Sequence, residues 1–335
     1  KGYISSFIDK ASGRELRGEG YSLNTFLMAE DLPATWDNWD IDADLECKFA
    51  DNSELLSSEV VSHGAAALII RNTYKISAKS TVTQDVIYFA GSAEIRYDTL
   101  MDWQDNHRFL KAAFDTSVQN NFARFEIQYG NVMRPTTRND SVEKAKFEVV
   151  NHKFTDLSET RFGAAILNDS KYGISVDGGQ MRLSLHKGGT RPDFEGDKGR
   201  HTTVYSFLPH NCGFDANEVI KPAYEMNIPV VAGKDDFEAV ALVVPEAENV
   251  IVEAIKPCED NEKAFIARLY EAEGTFTNCP VEFFDGAKKV EITNMLEEVE
   301  EAFDGNELSF RPFEIKTLKI SYFHFVNCHI FISEE

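Results

Sequence analysis

The stretch RFEIQY, residues 124–129, alternates polar and apolar side chains without interruption. A period of two places every second side chain on the same face, so this stretch is predicted to be a β-strand with one buried face. MRLSLH (181–186) and EIRY (94–97) repeat the pattern. Further strands are predicted where Val, Ile, Phe and Tyr are concentrated, because these residues fit a pleated surface. The runs are 81–89, 248–256, 264–270, 281–284, 288–293 and 313–320.

Turn residues separate these runs, and helical periodicity is scarce. Gly, Asn and Asp recur between the runs, for example at Gly178-Gly179 and Asp285-Gly286. The run 294–303 could form a short helix, but its four glutamates favour a solvated connection. Because strands do not alternate with helices, an all-β antiparallel sandwich is predicted.

One segment is predicted to separate two domains. Residues 226–240 (MNIPVVAGKDDFEAV) combine a proline, a glycine and a cluster of charges, which is typical of a linker. The predicted domains are residues 1–235 and residues 236–335.

The charge balance excludes some classes of function. Among 335 residues there are 34 Lys and Arg against 56 Asp and Glu, a net charge of −22. Such a field repels phosphate backbones and anionic lipid, so nucleic-acid and membrane-surface roles are disfavoured. No apolar run approaches the roughly 18–20 residues of a membrane span. The N-terminus shows no secretory signal and stands in mid-pattern, which favours a chain cut from a longer one.

Cysteine usage indicates a reducing compartment. Five cysteines are widely spaced, with no CxxC pair and an odd count, which favours thiols in a cytosol over a disulfide framework. A cytoplasmic location is therefore expected. His324, Cys328 and His329 cluster in an apolar tail, which we interpret as a final strand or extension rather than a metal site.

The segment WDNWDIDAD (36–44) leaves two interpretations open. Three alternating aspartates from Asp40 have the start of a calcium loop, but Leu45 stands where such a loop needs glycine, so calcium is disfavoured. Trp36 and Trp39, bracketed by carboxylates, indicate either a sugar-facing platform or a packed corner.

Two further loops are polar. DFEGDKGRH (193–201) gathers acidic and basic side chains around two glycines, which suit close backbone approach, although a solvated loop is the simpler interpretation. ILNDSKYGISVDGG (166–179) has the residues that a hairpin turn needs. HExxH, GxSxG, Walker, GxGxxG and His-x-Asp motifs are absent, and the eight histidines are scattered. A catalytic zinc typically needs three protein ligands, so no metal site is predicted.

Several longer stretches, in a fixed order along the chain, resemble sequence motifs of glycoside hydrolase family 38, the α-mannosidases, in its cytosolic and bacterial branch. FEIQYGNV (125–132) with RPT (134–136) is similar to the family's EIQFG…RPT, and the run 162–173 is similar to FGvavLNDxKYG. WDNWDI (36–41) resembles WDaWDi. Further similar words are NTF (24–26), DLP (31–33), DWQDNHRFLK (102–111), KFEV (146–149), HKFTDLSE (152–159), DKGRH (197–201), LPH (208–210), NVIVEAIK (249–256), RLYE (268–271) and residues 310–318.

The resemblance implies a fold and an activity. The fold is all-β, with a large antiparallel super-β-sandwich (galactose-mutarotase-like) followed by a smaller C-terminal β-sandwich. The activity is that of a retaining exo-α-mannosidase, in which a zinc-bound aspartate attacks the anomeric carbon and a second carboxylate acts as acid and base. Those groups belong to the family's N-terminal barrel, so this chain is expected to hold no catalytic residue and no metal, and to be inactive alone. Zinc or cobalt is expected in the parent enzyme.

The resemblance also implies partners and a sugar pocket. The expected partners are the N-terminal catalytic barrel of the same polypeptide and an α-mannoside substrate. Residues in the polar motifs that match the family are predicted to form or support one wall of the −1 pocket. They would do so through hydrogen bonds to the sugar hydroxyls and through aromatic contacts with the sugar ring. They are Asn24, Trp36, Asp37, Asp40, Asp169, Lys171, Tyr172, Asp197 and His201. Family members carry His and then NTSWD after the RPT word, whereas this chain has TRNDSVE (137–143), so the contacts of that His and Trp are absent or rebuilt.

Two alternatives from other classes stay open. One is a stand-alone carbohydrate-binding sandwich that uses Trp36 and Trp39. The other is an interaction domain with a large apolar face, which would favour a homo-oligomer of the isolated chain.

Overall fold

The computed structural model describes residues 1–228, 230 and 241–322, and the chain divides into two compact units. Unit 1 comprises Lys1–Ile127, Val132–Phe214 and Lys221–Ile228. Unit 2 comprises Gln128–Asn131, Asp215–Ile220 and the described residues from 230 onward. The predicted domain boundary at 235/236 and the predicted tail extension at His324, Cys328 and His329 lie outside the described residues and stay predictions.

Strands make up most of the described structure. The first sixteen are β1 (Ile8–Asp9), β2 (Arg14–Glu15), β3 (Thr25–Glu30), β4 (Glu54–His63), β5 (Ala67–Lys75), β6 (Thr81–Phe89), β7 (Ile95–Trp103), β8 (Arg108–Asp115), β9 (Phe122–Ile127), β10 (Gly130–Pro135), β11 (Val149–Val150), β12 (Phe154–Ser158), β13 (Gly163–Asn168), β14 (Gly173–Asp177), β15 (Gln180–Lys187) and β16 (Gly199–His210). Eight more belong to unit 2. They are β17 (Val243–Pro245), β18 (Val250–Pro257), β19 (Ala264–Glu271), β20 (Thr277–Phe283), β21 (Ala287–Thr293), β22 (Val299–Phe303), β23 (Glu307–Phe310) and β24 (Ile315–Tyr322).

Helix in the described residues occurs only as short segments. They are a 3₁₀ turn (Ala43–Cys47), α1 (Ser141–Ala145) and a π turn (Ala216–Ile220) that continues into α2 (Lys221–Asn227). Asp140 begins α1 because its carboxylate accepts hydrogen bonds from the backbone N–H groups of Val142 and Glu143. None of the described helices is long and apolar enough to cross a bilayer.

Unit 1 is a sandwich of two antiparallel sheets. One has nine strands in the order β10-β9-β12-β13-β16-β7-β6-β5-β4, and the other has five in the order β11-β14-β15-β8-β3. Aromatic rings pack between them: Phe114 of β8 stacks on Phe207 of β16, with ring centroids 5.4 Å apart. Phe114 also lies edge-on to Tyr97 of β7 at 5.9 Å. The two inner faces therefore share one hydrophobic core.

Alternation along β7 shows why the sequence forms this layer. Ile95, Tyr97, Thr99, Met101 and Trp103 are all buried, and the residues between them are partly or fully exposed. One face of the strand therefore removes a continuous row of side chains from water, which stabilises the sandwich. The predicted run 94–97 is the first part of this longer strand.

Unit 2 is a smaller sandwich. A three-stranded sheet has the order β17-β20-β23, and a five-stranded sheet has the order β18-β19-β24-β21-β22. Its core includes Phe265 and Leu269 from the larger sheet and Val281 and Phe310 from the smaller one. The predicted fold class is confirmed: the chain is all-β, with a large antiparallel super-β-sandwich followed by a smaller β-sandwich.

The interpretation of residues 294–303 as a solvated connection needs a correction. These residues form a turn followed by β22, which pairs with β21 at the edge of its sheet, rather than only a solvated connection. Four of the five residues of β22 are exposed. An edge strand with charged side chains is compatible with the glutamates because they stay in water.

Candidate functional site

The connection between β15 and β16 joins the two sheets of unit 1. It covers residues 188–198 and is called the crossing loop here. One part of it contacts residues 36–40, called the Trp corner, and another part lies by the 169–172 turn between β13 and β14. The crossing loop therefore brings together polar segments that are far apart in sequence.

Asp37 anchors the crossing loop to the Trp corner. Its Oδ2 accepts hydrogen bonds from the backbone N–H of Thr190 at 2.7 Å and from the Thr190 hydroxyl at 2.8 Å. His107 Nδ1 lies 3.4 Å from Asp37 Oδ1. Burial alone would raise the pKa of Asp37, but the Thr190 hydrogen bonds and the charges of His107 and Lys187 outweigh it, so the pKa is lowered. Asp37 is thus an ionised anchor that faces the loop.

The two tryptophans of the Trp corner project into solvent. Trp36 is 76% exposed and Trp39 is 88% exposed, which contradicts the packed-corner interpretation. A cavity of about 550 Å³ lies between them and residues 191–192 of the crossing loop. Trp36 has a left-handed backbone, with φ of +60°, which a bulky residue adopts only under constraint. The constraint includes hydrogen bonds from the N–H groups of Trp39 and Asp40 to the Trp36 carbonyl.

The neighbouring aspartates are engaged locally. Asp40 is exposed, and its carboxylate accepts a hydrogen bond from the N–H of Ile41 at 2.9 Å. Asp42 accepts from the N–H of Ala34, and Asp44 pairs with Lys48. Each of the three carboxylates therefore already has a hydrogen-bond or ion-pair partner.

A pair of histidines lies under the far part of the crossing loop. The rings of His186 on β15 and His201 on β16 are 4.5 Å apart. Their Nε2 atoms lie 3.1 Å and 2.6 Å from the carbonyl oxygen of Asp197. A carbonyl only accepts, so each Nε2 carries the proton. His186 also packs on Trp103 at 4.5 Å.

His186 is held neutral by its surroundings. Burial lowers its pKa to about 4, and the charges of His201 and Lys171 act in the same direction. A neutral imidazole that donates through Nε2 presents Nδ1 as a hydrogen-bond acceptor. The segments around the crossing loop thus combine a buried, uncharged imidazole with exposed aromatic rings.

The 169–172 turn is fixed to β16 by Asp169. Its carboxylate accepts hydrogen bonds from the N–H of Val204 and the hydroxyl of Thr203, both at 2.9 Å. Burial lowers the pKa of Lys171, and the carboxylates of Asp169 and Asp197 oppose this shift. The Lys171 ammonium makes no ion pair within 4.0 Å in the described part of the chain. Tyr172 is 47% exposed and lies edge-on to His152 at 5.0 Å.

Asn24 lies elsewhere, inside the sandwich. It is only 3% exposed; its amide donates to Gln84 at 2.6 Å, and its Oδ1 accepts from the Tyr205 hydroxyl at 2.7 Å. Gln84 Nε2 in turn donates to the Tyr205 hydroxyl and to Thr99. Asn24, Gln84, Thr99 and Tyr205 are called the buried network here.

Asp197 therefore belongs to the crossing loop, seven of the nine predicted residues lie on segments that adjoin this loop, and Asn24 is in the core. Four further residues, all buried or half-buried, support these segments from within: Trp103, His107, His186 and Thr190. His186 alternates with apolar residues in MRLSLH and reads as an ordinary strand residue. Its contact with His201 comes from the meeting of two strands in different sheets, which has no local sequence signal.

The side chains that commonly bind metals do not gather in the described part of the chain. No group of three or more His, Cys, Asp and Glu side chains that could hold a metal occurs in residues 1–228 and 241–322. The residues of this chain that the structure describes therefore do not fit a zinc or cobalt centre, and no chemical step through a metal follows from them.

Comparison with known families identifies the class. The model described as "Glycosyl hydrolases family 38 C-terminal domain" matches residues 1–195, and "Glycosyl hydrolases family 38 C-terminal beta sandwich domain" matches residues 249–318. The first match alone covers more than half of the 335 residues. The chain belongs to glycosyl hydrolase family 38, and it corresponds to the C-terminal β region of that family.

Individual relatives agree with this assignment. The chain is 33% identical over 333 residues to human alpha-mannosidase 2C1, a match that covers 95% of this chain and 32% of the relative. It is 33% identical over 347 residues to alpha-mannosidase G of Dictyostelium discoideum, covering 95% of this chain and 31% of the relative. The chain thus spans about a third of the length of the curated relatives it matches.

A solved structure supports the fold. The crystal structure of an alpha-mannosidase from Enterococcus faecalis superposes with a TM-score of 0.76 at 16% sequence identity, covering 94% of this chain and 40% of that chain. A family 38 glycosyl hydrolase from the same organism gives a TM-score of 0.74 at 15% identity, covering 94% and 41%.

Proposed function

We propose that this chain is the non-catalytic C-terminal part of a retaining exo-α-mannosidase that hydrolyses terminal α-linked mannose. In this proposal the crossing loop, the Trp corner and the 169–172 turn form one wall of the −1 sugar pocket. The observation that carries the proposal is the convergence of the three segments: Thr190 is bound by Asp37, and Asp197 lies by Lys171.

The chemistry of this surface suits a neutral polyhydroxylated ligand. Exposed indole rings offer apolar faces to the C–H side of a sugar, and polar side chains fix its hydroxyls. Lys171 is half-buried and has no ion-pair partner among the described residues, so its ammonium is available to donate to a hydroxyl. Asp37 and Asp169 act indirectly, because both hold backbone segments of the wall in place.

The remaining parts of the pocket belong to other residues of the parent enzyme. In the proposal, the N-terminal barrel of the same polypeptide supplies the nucleophile, the acid/base carboxylate and the zinc or cobalt ion. A cytoplasmic location is proposed as well. Cys47, Cys258 and Cys279 are unbridged thiols, as expected for a protein in a reducing compartment.

The test measures hydrolysis of an aryl α-mannoside. The parent polypeptide is expected to turn over substrate, while the 335-residue chain with added zinc or cobalt is expected to be inactive. Robust turnover by the chain alone would contradict the non-catalytic assignment.

A matched pair of variants tests the pocket wall. In the parent enzyme, Lys171→Ala is expected to lower kcat/KM by about tenfold, the effect of losing a hydrogen bond worth about 1.4 kcal/mol. Lys79→Ala removes an exposed lysine in the β5–β6 turn, outside the wall, and is expected to leave kcat/KM unchanged. Equal effects of the two substitutions on kcat/KM would contradict the assignment of Lys171 to the pocket wall.

A second candidate function is favoured by the exposure of Trp36 and Trp39. A stand-alone carbohydrate-binding module uses such rings as a platform. Calorimetric titration of the isolated chain with mannose and mannobiose separates the two functions: a binding module saturates, whereas one wall of a pocket binds weakly or not at all.

A further inference from the structure

A cysteine, a histidine and an aspartate form a relay at the end of β16, in the part of unit 1 where β12 and β13 also lie. His210 Nε2 is 2.8 Å from Asp156 Oδ1, and His210 Nδ1 is 3.3 Å from Cys212 Sγ. Both ring nitrogens of one imidazole are thus engaged, one by a carboxylate and the other by a thiol. None of these residues belongs to the crossing loop, the Trp corner or the 169–172 turn.

The relay is fixed by its surroundings. Asp156 is held from the other side, because its Oδ2 accepts a hydrogen bond from Ser158 at 2.5 Å. Gly163 on β13, the register partner of His210, leaves room for the ring. A Cβ at Gly163 would lie 2.3 Å from His210 Cε1 and 2.4 Å from its Nε2. The absence of a side chain at 163 is therefore a condition of the Asp156–His210 contact.

Burial differs along the relay in a way that suits a reactive thiol. The side chains of His210 and Asp156 are 0% and 1% exposed, whereas Cys212 is half-buried. A buried Asp–His pair keeps the imidazole in the tautomer that donates from Nε2 to the carboxylate and accepts at Nδ1. The acceptor lone pair then points at the sulfur.

We propose that Cys212 is an activated nucleophile and a modification site for peroxides and soft electrophiles. His210 removes the thiol proton through Nδ1, and the Asp156 carboxylate stabilises the resulting imidazolium. Asp156 is a positioning residue because it acts through His210.

The peroxide reaction balances with these groups. The Cys212 thiolate attacks one oxygen of hydrogen peroxide; an S–O bond forms and the O–O bond breaks. Sulfur is oxidised by two electrons to a sulfenic acid, the peroxide is reduced, and the departing hydroxide takes the proton from His210 and leaves as water. A low-molecular-weight thiol then condenses with the sulfenic acid to give a mixed disulfide and water.

The experiment compares thiols within the intact protein that contains this chain. The protein is pulsed with iodoacetamide near pH 7, quenched with an isotopically distinct alkylator, and each cysteine peptide is quantified by mass spectrometry. Cys47 is the matched control, since it is an exposed thiol without a histidine hydrogen bond in the described residues. Cys212 is expected to react about tenfold faster than Cys47, because an ordinary thiol is only a few per cent ionised at this pH.

Three variants separate activation from mere exposure. His210→Gln and Asp156→Asn are each expected to lower the Cys212 rate to that of Cys47 or below, and Asp156→Glu is expected to restore part of it. The urea-unfolding transition of each variant, compared with that of the wild type, is the folding control for unit 1, because the buried Cys258 and Cys279 report only on unit 2. A wild-type Cys212 that reacts no faster than Cys47 would overturn the proposal without any variant. A Cys212 rate unchanged by His210→Gln in a folded protein would overturn it equally.

Discussion

The buried network and the Trp corner both belong to unit 1. Each contains a residue with a left-handed backbone, but one of these residues is buried and the other is exposed. Asn24 has φ of +63° and Trp36 has φ of +60°, so both occupy the left-handed region. Asn24 is 3% exposed and Trp36 is 76% exposed. Both residues were predicted to line or support a sugar pocket, because each lies in a stretch that resembles a motif of family 38.

The difference shows that a polar residue in a family motif can be required for packing and hydrogen bonding within the core. Asn tolerates the left-handed region better than most residues because its short amide can bond locally. At position 24, immediately before β3 of the five-stranded sheet, the amide instead joins two strands of the nine-stranded sheet, through Gln84 on β6 and Tyr205 on β16. Trp36 gains nothing from burial, and its ring is left for contacts outside the chain. The comparison therefore separates residues that specify the sandwich from residues that are available to a ligand.

The largest effect is expected from breaking the buried network. Asn24→Ala leaves the Gln84 amide oxygen without its partner and places a less tolerant residue in the left-handed region. The free energy of unfolding is expected to fall by about 3–4 kcal/mol, measured by urea denaturation. Asn24→Gly suits the left-handed backbone but removes both side-chain hydrogen bonds, so its smaller loss would separate the backbone term from the hydrogen bonds. A loss below about 1 kcal/mol for Asn24→Ala would mean that the network is not a determinant of the sandwich.

A pH-dependent effect is expected from His186, beneath the crossing loop. Its pKa in the folded protein is about 4, below the ordinary value of 6.5. Between these two values the unfolded chain binds a proton that the folded chain does not. Stability is therefore full above pH 6.5 and decreases as the pH falls toward 4, by about 3 kcal/mol in total. The measurement is urea denaturation from pH 7 to pH 4.5 for the wild type and His186→Gln.

The variant is the control for His186, because glutamine does not titrate and other groups titrate in both proteins. The wild-type profile should fall more steeply than that of the variant over this interval. Parallel profiles would show that His186 accepts a proton in the folded state as easily as in the unfolded state.

A matched pair of tyrosines sharpens the comparison. Tyr205→Phe keeps the ring in the core but removes the hydroxyl that donates to Asn24 and accepts from Gln84. The free energy of unfolding is expected to fall by about 1–2 kcal/mol. Tyr172→Phe, at the exposed 169–172 turn, should change it by less than about 0.5 kcal/mol. The comparison between core and surface fails if the two substitutions have equal effects.

The smallest effect on stability is expected in the Trp corner. Trp36→Gly removes an exposed ring and suits φ of +60°, and Trp39→Ala removes a ring that is 88% exposed. Each should change the free energy of unfolding by less than about 0.5–1 kcal/mol. In the parent enzyme, both are expected to raise KM for an α-mannoside more than they change thermal stability. A large loss of stability in either variant would assign the rings to packing.

Much of the fold could be predicted from local patterns. The run 81–89 coincides with β6, whose side chains alternate between buried and partly exposed over most of the strand. The run 264–270 lies within β19, which is buried on both faces and is therefore marked by a nearly continuous apolar run. β4 had no such signal, since it is an edge strand whose residues are mostly exposed. The residues of the candidate site were less predictable than the strands. Asp37, Lys171 and His201 were identified through motifs that resemble those of family 38, whereas His186 and Thr190 were not identified.

The sequence by itself determined the all-β class, the positions of many strands and membership in family 38, since each of these is written in short runs of residues. The tertiary structure decided which polar residues are exposed and which hold the core. Asn24 and Gln84, His186 and His201, and Asp156 and His210 meet only after their strands have paired or packed. Hydrogen bonding, burial and the lowered pKa of His186 depend on those meetings. Their physical origin is desolvation and contact between distant segments, which no local pattern encodes.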